Sequence, residues 1–200
     1  MILARLTLAA PSILGVLALA AHAQGPAPVD PTPPDGQPWR IERIADIPPS
    51  LAAALSQANC RQAEATLATF PIEIFRPAAG AKVMAIVPCV GIVHYGRAFL
   101  FERDLQSTPR PMAFPVMAIA GQVSASETPG LMSWSPSART LVALQGNDVC
   151  DGAIARHTYW HDGGPPRPDG GDLNGLVLTK VERGRLGCGA GENWQVIWEK

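Results

Sequence analysis

Two short apolar runs separated by a turn-like segment dominate the hydrophobic pattern of the chain. They are Val83–Val87 and Ala98–Phe101, within the stretch Lys82–Glu102 (KVMAIVPCVGIVHYGRAFLFE). Each run is rich in Val, Ile, Met or Phe and is bounded by turn-forming residues, which is typical of a buried strand rather than of a helix. The pattern predicts a buried hairpin that presents Cys89 just past its first strand. We expect the rest of the chain to pack around this hairpin.

The segment before the hairpin changes from helical to strand-like periodicity. Asp46–Ser50 contains two consecutive prolines, which fit a first helical turn, and apolar residues at helical spacing follow until Asn59. This predicts one short helix, to which Arg61–Leu67 could add another turn. Thr69–Arg76 then alternates in the manner of a strand, and Pro71 indicates that this strand lies at the edge of a sheet.

After the hairpin, short apolar segments alternate with turn-forming residues. The predicted strands are Met112–Ile119, Leu131–Ser135, Thr140–Leu144, Ala153–His161, Leu173–Arg183 and Trp194–Glu199. Asp162-Gly163 is a strong hairpin-turn signal, whereas Gly121–Gly130 is polar and predicted to be a turn. Many short strands and one early helix predict an α+β fold made mostly of antiparallel β-sheet.

The amino terminus has the pattern of a secretory signal peptide. Met1–Ala23 combines Arg5, an apolar core and a small-residue ending, Ala21-His22-Ala23. A membrane anchor is the alternative, but Leu6–Ala20 is too short to span a bilayer comfortably. We therefore expect cleavage after Ala23 and a soluble product, periplasmic or secreted, without a membrane anchor.

The next segment is rich in proline and has almost nothing to bury. Gln24–Pro38 is predicted to be an extended linker, with recognition by a proline-binding partner as the alternative. The remaining residues, Trp39–Lys200, are enough for a single β-rich globular domain. The formal charge of the chain is −1 and no basic run occurs, which argues against nucleic acid as a partner.

Four separate cysteines are expected to staple this domain. Cys60, Cys89, Cys150 and Cys188 form an even set in a chain with an export signal, so two disulfides are predicted. Three pairings are possible, and chain order favours Cys60–Cys89 with Cys150–Cys188. A zinc site is the alternative, but it requires closely spaced cysteine pairs, which this sequence lacks. We therefore predict no metal and no cofactor.

Several short blocks resemble those of a known family. They are Leu51–Cys60, Val87–Cys89, Pro111–Pro115, Asp148–Gly152, Thr158–Gly163, Leu176–Glu182, Cys188 and Trp194–Trp198. Together they resemble, over about Trp39–Lys200, a bacterial exported family known only as domain of unknown function 1176. The segment Gly91–Gly96 and the glycine after Cys188 depart from the pattern of that family. The resemblance implies an exported, disulfide-bonded domain and supplies no activity.

Few residues have the spacing that catalysis or metal binding requires. His94, His157 and His161 are the histidines beyond the signal peptide. His157 and His161 are four apart in a predicted strand, which places them about 13 Å apart along one face, too far to share a metal. No G-x-S-x-G elbow marks a nucleophilic serine, and Glu102 and Asp104 are interpreted as a solvated strand end. An envelope hydrolase acting on cell-wall or ester substrates remains an alternative function.

Aromatic and histidine side chains concentrate near the end of the chain. They are His157, Tyr159, Trp160, His161, Trp194 and Trp198. Core packing is one interpretation. The other is a binding face for an envelope protein, peptide or glycan, in which the members on one side of each strand are exposed. We accordingly expect a non-enzymatic binding or accessory module of the cell envelope, with a hydrolase and a purely structural secreted domain as alternatives.

Cleavage of the signal peptide is directly testable. Expression in an exporting bacterial host should release a product that begins at Gln24, because the small-residue ending follows the apolar core at the distance that signal peptidase requires. Intact-mass spectrometry of the exported fraction would identify it. A dominant membrane-held species beginning at Met1 would contradict both the cleavage and the predicted soluble product.

Overall fold

The computed structural model describes residues 38–90, 95–118, 121–146, 153–162, 173–185 and 193–200. The predicted signal peptide and all but the last residue of the predicted linker lie outside the described residues, as do His94, Cys150 and Cys188. Among the described residues, no helix has the length and apolar character needed to cross a bilayer.

The central sheet is built around the predicted hairpin. Its strands are β1 (Trp39–Ile41), β2 (Ile72–Phe75), β3 (Met84–Cys89), β4 (Tyr95–Leu100) and β5 (Arg110–Pro111). They are antiparallel and lie in the order β1-β2-β3-β4-β5. The hairpin is therefore confirmed, although Cys89 is the last residue of β3 rather than a residue beyond it.

The prediction that the strand after Pro71 lies at an edge is wrong. β2 pairs with β1 on one side and with β3 on the other, so it is an internal strand. Pro71 immediately precedes the strand, where its missing N–H removes no bond from the ladder. The edge position is taken by the three-residue strand β1, which the sequence pattern does not reveal.

Short helices cover one face of the central sheet. A 3-10 turn at Ile44–Asp46 precedes α1 (Pro49–Gln57), and α2 (Glu64–Thr69) follows. A short helix is thus present within the predicted segment, with proline in its first turn, but it begins at Pro49, and Asp46 belongs to the preceding 3-10 turn. The possible additional turn is a separate helix. Leu51, Ala54 and Leu55 bury the apolar side of α1.

A second five-stranded sheet, here called the outer sheet, lies on the other side. It consists of β8 (Leu131–Ser135), β9 (Thr140–Gln145), β10 (Ala153–His161), β11 (Leu176–Arg185) and β12 (Gln195–Glu199). All its neighbouring strands are antiparallel, in the order β12-β11-β10-β9-β8. These five strands match the segments predicted from the sequence, and the mostly antiparallel α+β class is confirmed.

A two-stranded ribbon completes the described elements. β6 (Phe114–Met117) pairs with β7 (Val123–Ser126). The sequence pattern predicts a turn where β7 lies. That prediction is wrong. Because β7 is largely exposed, its residues are mostly polar and do not alternate between apolar and polar as those of a half-buried strand do.

The central sheet is buried on both faces. Along β3, Ala85 and Val87 belong to an apolar cluster shared with α1 and α2. The alternate residues Met84 and Ile86 belong to a second cluster shared with the outer sheet, which contributes Leu141, Tyr159 and Val181 among others. Every residue of β3 is consequently buried, which explains why its sequence is a continuous apolar run rather than an alternating one.

Buried polar side chains connect the layers. The Asn174 side chain accepts a hydrogen bond from the Lys82 N–H at 2.9 Å and donates one to the Lys82 carbonyl at 2.8 Å, as a neighbouring strand would. Glu73, which lies on the central sheet, accepts a bond from the N–H of Trp134 in β8 at 3.4 Å. These bonds fix the outer sheet against the central sheet because each satisfies a group that would otherwise be buried without a partner.

One disulfide joins the helical layer to the central sheet. Cys60, just after α1, is bonded to Cys89 at the end of β3, and both residues are buried. The Cys60–Cys89 pairing predicted from chain order is therefore confirmed. The Cys150–Cys188 pairing lies outside the described residues and stays a prediction.

Removal of the Cys60–Cys89 disulfide should destabilise the fold substantially. The bonded residues are separated by 29 positions, and closing a loop of about that length contributes on the order of 3–4 kcal/mol in the chain-entropy model. We expect a Cys60→Ala, Cys89→Ala double variant to lose about that free energy of unfolding in urea titrations. A loss below about 1 kcal/mol would show that the helical layer is held in place without this bond.

Candidate functional site

The predicted aromatic and histidine set is divided between two environments by the alternation of β10. His157, Tyr159 and His161 are fully buried on the side that faces the core. Trp160 lies on the opposite side and is 41% exposed. The structure therefore does not bring the predicted residues together in one surface, because neighbouring residues of a strand point to opposite faces.

His157 serves as a buried hydrogen-bond acceptor. Its Nε2 accepts the N–H of Met117 at 3.0 Å, which fixes the ribbon strand β6 against the outer sheet. Burial lowers the pKa of His157, so the neutral ring that this acceptor role requires is favoured. Burial likewise lowers the pKa of His161. Among the described residues, no group of three or more His, Cys, Asp or Glu side chains is arranged to hold a metal ion.

Tyr159 is a core residue with its hydroxyl satisfied. The O–H donates to the carbonyl of Pro115 at 2.8 Å, and the ring meets Phe114 edge-on with centroids 5.1 Å apart. Burial raises the pKa of the phenol, so it remains protonated under ordinary conditions. For Tyr159, the structure therefore favours core packing over a binding role.

Trp194 and Trp198 lie on different sides of the outer sheet. In the register between β11 and β12, Trp198 lies opposite Val181 and Val196 lies opposite Glu182. Two steps along β12 therefore correspond to one step along β11, which identifies a β-bulge in β12. Val181 and Glu182 are adjacent and face opposite ways, so Trp198 packs against the core while Val196 faces outward. The two tryptophans are four residues apart, so unbroken alternation would place them on the same face of a strand, and the bulge prevents this.

The solvent side of the outer sheet carries a charged network. Glu182 accepts a hydrogen bond from Arg156 at 2.6 Å and is 2.9 Å from the ammonium of Lys180. The bond from Arg156 is the main cause that lowers the pKa of Glu182. The guanidinium carbon of Arg156 also lies 4.1 Å from the ring centroid of Trp194, within the range of a cation–π contact.

Exposed apolar side chains border this network. Leu144, Trp160 and Val196 are exposed by 42%, 41% and 45% respectively. Leu144 and Glu182 lie opposite Arg156 on the two neighbouring strands, and Val196 lies opposite Glu182. We call this surface the outer face, defined by Leu144, Arg156, Trp160, Glu182, Trp194 and Val196.

Four members of the outer face are absent from the aromatic and histidine set predicted from the sequence, namely Leu144, Arg156, Glu182 and Val196. Leu144 is the next-to-last residue of β9, a strand with apolar residues on both sides, so alternation gives no indication of which side is exposed. Val196 faces outward because of the bulge. Only the antiparallel register, in which Glu182 lies opposite Arg156, reveals the charged network.

The predicted carboxylate pair has a structural role. Glu102 accepts hydrogen bonds from Lys82 at 2.6 Å and from Arg110 at 2.9 Å. Asp104 instead accepts the N–H of Ser107 at 2.9 Å within its own turn. The two carboxylates are thus used separately, in agreement with the interpretation of this segment as a solvated strand end.

Two surface cavities flank α1. One, of about 350 Å³, is mainly apolar and is lined by residues that include Ile44, Ile47 and Leu55. The other, of about 340 Å³, is polar and contains Arg97 and Glu127. The hydrolase alternative requires a pocket that holds His94 or His161 together with a serine or carboxylate. Neither of these two cavities is lined by a histidine.

The burial of His157 predicts a pH-dependent stability. Because its folded-state pKa is lowered, the unfolded chain binds a proton more readily, and stability falls as the pH drops below the unfolded value of about 6.5. As the pH falls through this range, each such histidine lowers the free energy of unfolding by about 1.4 kcal/mol per pH unit, until the folded-state pKa is reached. Urea unfolding between about pH 7.5 and about pH 5 should show this loss, and His157→Gln, which keeps an acceptor but cannot titrate, should reduce it. An unchanged slope in the variant would contradict this role of His157.

Comparison with protein-family models, with curated proteins and with solved structures finds no match to this chain. The resemblance to domain of unknown function 1176 therefore stays a prediction from the sequence. No residue receives a role from a relative.

Proposed function

We propose that this chain is an exported, non-enzymatic binding or accessory module of the bacterial cell envelope. Three features of the sequence support export: the signal-peptide pattern of Met1–Ala23, the even set of separated cysteines and the resemblance to an exported family. The Cys60–Cys89 disulfide is consistent with an oxidising compartment.

The observation that carries the binding role is the exposure of Trp160 on the same side of the outer sheet as the exposed Leu144 and Val196. Tryptophan is among the residues that most often dominate interface energy. Here it lies on an internal strand rather than at a chain end, since β10 is paired on both sides by β9 and β11. The outer face thus offers a fixed aromatic anchor within a broad sheet surface.

The chemistry of the outer face favours a protein partner. Leu144 and Val196 add apolar contact area, whereas Arg156 and Glu182 form a polar network whose geometry is set within the sheet. Enrichment in Trp and Arg is characteristic of protein interfaces. A peptide or glycan partner would be recognised on the same surface and is distinguished by the experiment below.

The hydrolase alternative has less support among the described residues. A general base must reach the substrate, and the two histidines that the structure describes, His157 and His161, are fully buried. The remaining candidate, His94, lies outside the described residues. His157 is moreover engaged with the backbone of Met117. These two histidines are therefore interpreted as buried polar groups of the packing between layers. The outer face is the better-supported functional surface.

Truncation of exposed side chains on the outer face should weaken partner binding without lowering the stability of the domain. We expect Trp160→Ala and Val196→Ala to change the free energy of unfolding by about 0.5 kcal/mol or less, because both side chains are exposed. The same changes should weaken partner binding by at least about 1–2 kcal/mol. Capture from envelope extract by the mature domain would identify the partner, and protease or glycosidase treatment of the extract would show its class.

Val123→Ala provides the matched control. Val123 is 58% exposed but lies on the ribbon strand β7, away from the outer face, so this variant should retain the partner. If Trp160→Ala captures the same partner with unchanged affinity, the outer face is not the binding surface. If the variant instead loses several kcal/mol of stability, Trp160 acts in packing and the proposal fails.

A further inference from the structure

We propose that the polar cavity between α1 and β4 is a binding site for a small zwitterion, namely a free α-amino acid or a short peptide carrying both termini. We call it the Arg97 cleft, lined by Gln57, Asn59, Arg97, Pro109, Pro111 and Glu127 among others. It lies on the helical side of the central sheet, whereas the outer face lies on the far side of the second sheet. This inference therefore goes beyond the proposed function and does not depend on it.

Arg97 is the cationic residue among those that line the cleft, and its position follows from the sheet. It lies opposite Val87, whose side chain belongs to the cluster beneath α1, so the stem of Arg97 runs under the same helix. Its Nη1 donates to Glu127 at 2.7 Å. Its Nε is buried and has no hydrogen-bond partner among the described residues. A buried donor without an acceptor is costly, so this site has a specific need for one.

The geometry of the guanidinium indicates what that acceptor is. Nε and Nη2 form the edge that holds a carboxylate side-on through two parallel bonds. Glu127 is bonded through Nη1, which is not part of this edge. Because Nε is buried, a ligand carboxylate binds this edge only when the Arg97 side chain shifts, and the bond from Nη1 to Glu127 leaves the edge itself unused.

Glu127 supplies the complementary charge. Its side chain is 52% exposed, so it can turn toward a ligand that enters the cleft. Because Arg97 and Glu127 neutralise one another, a simple anion gains little long-range attraction and would compete with Glu127 for the guanidinium. A zwitterion avoids this competition, since its carboxylate faces Arg97 while its ammonium approaches Glu127.

The size and walls of the cleft limit the ligand. A volume of about 340 Å³ lies at the lower end of the range for small-molecule sites. The amides of Gln57 and Asn59 can donate or accept hydrogen bonds at the mouth. Two prolines limit the motion of the opposite wall, and the disulfide at Cys60 anchors the residue next to Asn59. These features favour an amino acid or dipeptide over a larger metabolite.

The Nε–H of Arg97 allows a direct test in the intact mature chain by two-dimensional ¹⁵N NMR. L-Alanine and L-alanyl-L-alanine should shift this signal in a saturable manner. N-Acetyl-L-alanine, which lacks the ammonium, and L-alaninamide, which lacks the carboxylate, should each bind at least about tenfold more weakly, because each loses a charge-assisted contact.

Variants identify the two contacts separately. Glu127→Gln should abolish the preference for L-alanine over N-acetyl-L-alanine, and Arg97→Lys should weaken all carboxylate ligands. Glu102→Gln is the matched control, because Glu102 is a similarly exposed, arginine-paired carboxylate outside the cleft, and it should leave binding unchanged. Trp160→Ala should also leave it unchanged, which separates this site from the outer face.

Two results would overturn the proposal. One is an Arg97 Nε–H signal that stays unchanged at millimolar L-alanine and L-alanyl-L-alanine. The other is equal affinity for L-alanine, L-alaninamide and N-acetyl-L-alanine, since a zwitterion site must distinguish them. Both are measured on the unsubstituted chain, so neither depends on whether Arg97→Lys folds.

Discussion

The burial of β3 on both of its faces is the constraint on which the remainder of the structure depends. A strand with apolar side chains on both sides is stable only if another layer covers each side. Here α1 and α2 cover one face of the central sheet, and the outer sheet covers the other. The solvent side of the outer sheet is thereby defined as the face that this packing leaves uncovered.

Apolar packing brings these layers together but does not fix how they are aligned. The buried polar groups do so, because each has a partner at one defined position of the neighbouring layer. Asn174 is bonded to Lys82, Glu73 to the backbone of Trp134, and Tyr159 to the carbonyl of Pro115. A shift of the outer sheet by a single residue would leave these groups buried without partners, at about 1–3 kcal/mol each.

The sequence predicts the elements whose burial leaves a pattern. The hairpin, α1 and the strands of the outer sheet have such patterns, and chain order correctly pairs Cys60 with Cys89. The exposed strand β7 and the short strand β1 bury too little to be visible in this way. The internal position of β2 was missed because a proline just before a strand resembles a proline within an edge strand.

The sequence predicts which residues of β10 share a face, but it does not predict which of the two faces is exposed. Alternation shows that Tyr159 and Trp160 face opposite sides, but it does not show which side is covered, since both carry aromatic rings. Tertiary packing decides this: Tyr159 is bonded to β6 and Trp160 is left in solvent. The buried neighbours then hold the backbone that presents Trp160, so an interface on the outer face would require little further ordering of the chain.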